Sequence, residues 1–122
     1  MVIVEKINWI DKEEREADVT ITDGIYSVLC FSCPFNQNEK DIFDTLIYCF
    51  EAHDIAKSFE SNSAIIKKSG FYEYMLSGEL KSKEDKIVKI GELQIDISDA
   101  HIPNDINEGD YIEFQVERLD LY

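Results

Sequence analysis

All three cysteines and one of the two histidines fall between residues 30 and 53: Cys30, Cys33, Cys49 and His53. The stretch Cys30-Phe31-Ser32-Cys33-Pro34-Phe35 puts two thiols in C-x-x-C spacing, and the four residues together read C-x2-C-x15-C-x3-H. Spacings of this order hold structural zinc, which needs four donors converging on one point at about 2.0–2.3 Å. A C-x-x-C pair also performs thiol–disulfide exchange when it opens a helix that follows a strand. Cys49 and His53, four apart, would adjoin as nucleophile and base on a helix. Each chemistry sets its own structural demand: a tight turn at Cys30–Cys33, a helix after Pro34, or a helix over 49–53.

The surrounding periodicity points elsewhere. Ala17, Val19 and Ile21 alternate with Asp18, Thr20 and Thr22, the pattern of a half-buried strand. Asp23-Gly24 follows directly and signals a two-residue hairpin turn, and the partner strand runs from Ile25 to Cys33. That loop length sets Thr22 opposite Ile25, Ile21 opposite Tyr26, Val19 opposite Val28 and Ala17 opposite Cys30. Cys30 then shares the inward face of Val28, Cys33 points the other way, and Pro34, which has no N–H to give, ends the pairing. Zinc knuckles usually carry Gly after the second Cys, whereas Pro-Phe stands here. The thiols read as small buried hydrophobes, with a zinc site built from Cys30, Cys33, Cys49 and His53 as the alternative.

The remaining chain is also of period two. Val2–Ile10 is rich in strand formers and leads into the charged bend DKEERE. Within 41–60, Ile42, Phe43, Leu46, Ile47 and Phe50 suit a short helix, but alternation over about Thr45–His53 favours a strand. SNSAIIKKSG is a loop around a short apolar run. Tyr72, Tyr74, Leu76 and Leu80 then share a face, as do Leu93, Ile95 and Ile97, with Gly91 marking a bulge. DAHIPNDINEGD is a long acidic loop, and the last strand turns Ile112, Phe114 and Val116 inward against Glu113, Gln115 and Glu117. Short turns and no Gly/Ser-rich linker predict one all-β domain over residues 1–122.

The stretch IPNDINEGDYIEFQVERLD, with Gly109-Asp110 leading into Ile112, Phe114 and Val116, resembles the closing strand of small OB-fold-like barrels. With the N-terminal strand and the Asp23-Gly24 hairpin, the layout resembles a small OB-like bacterial protein. The resemblance implies a small antiparallel barrel, with a β-sandwich or an SH3-like barrel as alternatives. In one respect the chain departs from the pattern. OB domains that bind nucleic acid pair exposed aromatics with a basic groove, and here 26 acidic side chains outnumber 12 basic ones.

The resulting net charge of −14 repels phosphate backbones and anionic lipid, and favours basic proteins or divalent ions as partners. No run reaches the roughly 18 apolar residues of a membrane span, and the N-terminus lacks the pattern of a secretion signal. An odd number of cysteines fits a reducing compartment, so the expected location is the cytoplasm. The carboxylates Asp96, Asp99, Asp105, Glu108 and Asp110 do not follow the calcium-loop order and read as a solvated loop. No Gly-rich phosphate loop and no Ser-His-Asp arrangement is present. The expectation is therefore a non-enzymatic interaction module without a cofactor, zinc being possible through the cysteines. Its partner-binding surface would comprise Asp99, Asp105, Glu108, Asp110, Glu113 and Glu117, with Asp120 on the same face, and would take a basic protein; nucleic acid is disfavoured by charge.

Overall fold

The structure, a computed structural model, describes residues 1–122 and contains no helix. Its strands are β1 (Ile3–Asp11), β2 (Glu16–Thr22), β3 (Ser27–Ser32), β4 (Ile47–Lys57), β5 (Ala64–Lys67), β6 (Tyr74–Ser82), β7 (Ile87–Ile90), β8 (Leu93–Asp96) and β9 (Tyr111–Asp120). Five of them close a small barrel in the order β4-β8-β7-β6-β9, because β9 pairs antiparallel with both β6 and β4. β6, β7 and β8 form an antiparallel meander, and β8 meets β4 in parallel through Ile47 and Ile95. Read from β6, the order and sense are those of an OB-like barrel whose last strand has moved to the front, where it is β4.

The alternation of β9 and β6 explains the closure. Ile112, Phe114 and Val116 from β9 and Leu76 and Leu80 from β6 are all buried, and they meet Val88, Ile90, Leu93 and Ile95 inside. Gly78 leaves room for β7 to pack against β6: a Cβ there would stand 2.6 Å from the Lys89 carbonyl oxygen. The Ile97–Asp110 connection closes one end. Its underside buries Ile97, Ala100, Ile102 and Ile106, so the expected solvated loop is a plug with a charged outer face.

β1, β2 and β3 form an antiparallel meander outside the barrel, attached where β3 runs parallel to the end of β9 at Phe31 and Asp120. The N-terminal strand and hairpin are thus additions to the barrel and not its opening strands. They share one continuous core with it: Val4, Val19, Ile21, Val28 and Cys30 belong to the same buried cluster as Phe114 and Leu119. Residues 40–43 run along the start of β1, and β5 extends the sheet from the first half of β6.

Three local expectations change. The β2–β3 loop has four residues, Asp23 to Tyr26, which moves the register by two: Thr22 faces Ser27, Ile21 faces Val28, Val19 faces Cys30 and Ala17 faces Ser32. Of the two residues that a type I′ turn needs at positive φ, only Gly24 has it (96°). Asp23 Oδ1 instead accepts the Ile25 and Tyr26 amides at 2.9 and 2.7 Å, and Thr22 Oγ1 accepts the Gly24 amide. A shift of two preserves the faces, so Cys30 remains inward. Gly91 is not a bulge. With Glu92 it makes the two-residue β7–β8 turn, at φ 58° and packed on Asp23 and Tyr26.

The third change concerns β4. Residues 41–60 form no helix, and the strand reaches Lys57. Simple alternation would put Ile47, Cys49, Glu51 and His53 on one face. Left-handed backbone at Glu51 (φ 55°) and Asp54 (φ 57°) breaks it, so the inward residues run Ile47, Cys49, Ala52, Ile55. Cys49 faces the core and His53 faces solvent.

Candidate functional site

The strand geometry separates the four potential metal donors. Cys30 on β3 and Cys49 on β4 are completely buried. Burial first, then the Asp120 carboxylate, pushes the Cys30 thiol far above its ordinary range. Cys49 is raised in the same sense by burial and then by Asp96. Both are protonated hydrophobes, not nucleophiles. Cys33 lies past the end of β3, exposed, with its Sγ 3.7 Å from the Glu14 carbonyl oxygen. His53 is outside: its Nδ1 is 3.0 Å from the Glu51 carbonyl, and its Nε2 is 3.9 Å from Asp54 and from Glu117. The four do not converge, and no three His, Cys, Asp or Glu side chains in the molecule are arranged to hold a metal ion.

The acidic residues divide into three groups. Asp99, Asp105 and Glu108 are exposed on the outer side of the plug. Asp96 and Asp110 cap turns: Asp96 Oδ1 accepts the Ser98 amide, and Asp110 Oδ2 accepts the Asn107 amide at 2.9 Å and lies 3.5 Å from Lys57 Nζ. The Asn107 amide, then Lys57, holds the Asp110 carboxyl below its usual value. On β9, Glu113 is exposed and Glu117 half-buried beside His53. Asp120 does not join them on the surface; it is 5 % exposed and holds Arg118. Across the molecule, six of the 26 carboxylates have a cationic or histidine partner at ion-pair distance.

A different surface stands out, one that the sequence pattern did not mark. On the outward side of β3, β9 and β4, the Arg118 guanidinium lies between the rings of Phe31 and Phe50, 4.8 and 4.9 Å from their centroids. Its Nε and a terminal nitrogen donate to the two Asp120 oxygens at 2.6 and 3.2 Å. Tyr72 meets Phe31 edge-on at 6.2 Å and donates its hydroxyl to Asp18 Oδ1 at 2.5 Å. Burial, then that carboxylate, pushes the Tyr72 hydroxyl up to about 12. Phe71 stacks on Tyr72 at 4.8 Å.

The row Phe71–Tyr72–Phe31–Arg118–Phe50 is therefore held by two carboxylates while its ends stay open, Phe50 41 % and Phe71 58 % exposed. Alternation within single strands does signal that Phe31 and Phe50 face outward, but it would put Arg118 on the inward face of Ile112, Phe114 and Val116. Arg118 faces outward because the alternation breaks after Val116. The meeting of the three side chains needs the β3–β9 and β4–β9 pairings, which no local pattern encodes. Comparison with family models, curated proteins and solved structures returns no match for this chain.

Proposed function

We propose that this protein is a non-enzymatic interaction module whose partner is a basic protein. The observation that carries the reading is the net charge of −14 together with its sparse pairing: all but six of the 26 carboxylates lack a cationic or histidine partner at ion-pair distance. A surface of this kind attracts a cationic one at long range and speeds its capture. The same charge opposes a nucleic-acid backbone. The inert thiols Cys30 and Cys49 and the dispersed donors Cys33 and His53 support a binding role over a catalytic one. Three unpaired thiols also suit a reducing compartment, the cytoplasm being the natural one.

The test is purification of the native protein with its partner at low salt, identification of that partner, and measurement of the affinity as salt is raised. A basic partner is expected, with affinity falling as the screening length contracts from about 10 Å at 0.1 M to about 3 Å at 1 M. A neutral or acidic partner, or an affinity indifferent to salt, overturns the proposal.

A further inference from the structure

Resting on that reading, we propose that the partner docks on the outward face shared by β3, β9 and β4, and that it presents arginine side chains to the aromatic row there. Open rings beside carboxylates are the first argument. The end of the row at Tyr72 is flanked by Asp18 and Glu16, whose charges both act on the Tyr72 hydroxyl. The other end is flanked by Glu51, next to the exposed Phe50, and by Glu117, next to Arg118. The Arg118–Asp120 pair is neutral as a unit, and the Lys67 ammonium lies at the Gly70 and Glu73 carbonyls beside the Phe71 end. The carboxylates of Glu16, Asp18, Glu51 and Glu117 outnumber it around the patch.

The second argument is that the protein already uses this recognition internally. Arg118 lies between two rings with a carboxylate on its fork, and Arg15 lies 4.8 Å from the Trp9 ring centroid. A planar, weakly hydrated guanidinium gains from ring stacking and bidentate pairing together, which a lysine ammonium cannot do. Rigidity is the third argument. Tyr72 is fixed by Asp18 and Arg118 by Asp120, so little side-chain entropy is lost on docking. Aromatic and arginine side chains held in this way are the composition of interface hot spots. The plug carboxylates Asp99, Asp105 and Glu108 carry charge but have no exposed Phe, Tyr or Trp ring among them, which makes them a steering surface and not the contact.

The probes are an Ac-capped hexa-arginine peptide and its hexa-lysine counterpart, titrated into isotope-labelled protein while amide shifts are followed. The arginine peptide should bind about fivefold more tightly, with shifts centred on Phe31, Phe50, Glu51, Phe71 and Glu117. The double variant Phe50→Ser, Phe71→Ser removes the two most open rings of the row and should stay folded, with amide shifts unchanged away from the patch, while weakening binding about tenfold. The control Asp105→Asn, Glu108→Gln should retain nearly all of the affinity. Shifts centred on the plug, or equal losses in the two variants, overturn this site while leaving the basic-partner reading intact. Failure of both peptides to bind at low salt overturns the reading itself. Binding of an oligothymidylate to this face, or a dimer that dissociates in the Phe50→Ser variant, assigns the face to another occupant and overturns the proposal.

Discussion

Cys30, Cys33 and Cys49 show how one residue type takes opposite characters within a short span. Two are closed in the core beside leucines and valines, and burial keeps them protonated. The third lies beyond the strand, open to solvent. The consequence is a sharp count: a thiol-specific reagent should label one cysteine in the native protein and all three once it is unfolded. Rapid native labelling at Cys30 or Cys49 would show that the core is looser than its packing indicates. The inward direction of Cys30 was legible in the sequence because it depends only on strand parity. The separation of Cys49 from His53 was not, since the left-handed residues Glu51 and Asp54 that cause it belong to a long strand bending to follow β9.

At the scale of elements, Asp23 joins two hairpins. Its Oδ1 shapes the β2–β3 loop, and its Oδ2 accepts the Glu92 amide of the β7–β8 turn at 2.8 Å. Burial pushes this carboxyl up, but the amides of Glu92, Tyr26 and Ile25 outweigh it and bring it below the ordinary aspartate value. Its folded-state pKa is therefore depressed. The stability it contributes is complete above the unfolded value of about 4 and is lost as pH falls through the folded value. Asp23→Ala should cost about 2–3 kcal/mol at pH 7, read from the urea midpoint, and the gap to wild type should narrow near pH 3. An equal gap at both pH values would assign the effect to packing. The same carboxylate explains why the hairpin register departs from the Asp-Gly signal: side-chain capping of two amides widened a two-residue loop to four. Strand β9 was readable as far as Val116 because it alternates to that point, whereas its choice of three neighbours was not, since those contacts are distant in sequence.

For the molecule as a whole, the carboxylates left without counter-charges repel one another in the folded state more than in the expanded chain. Screening should relieve this, so the unfolding temperature should rise as sodium chloride increases from about 0.02 to 0.3 M, where the Debye length falls below about 10 Å. A temperature that falls with salt would mean that the few ion pairs outweigh the repulsion. The all-β class and the barrel were legible in the composition of short alternating strands. The circular shift of the barrel was hidden, because it lies in the pairings of β4 with β8 and β9, which join residues distant in sequence.

Strand β9 pairs with β3, β4 and β6, and it is the last of these to be synthesised. On the ribosome, the β4 and β6 edges must wait for it, and the barrel has no closed form before it emerges. Nascent chains with open strand edges are prone to join one another. Neighbouring copies on one messenger would each carry the same surplus of negative charge, which holds them apart during that interval.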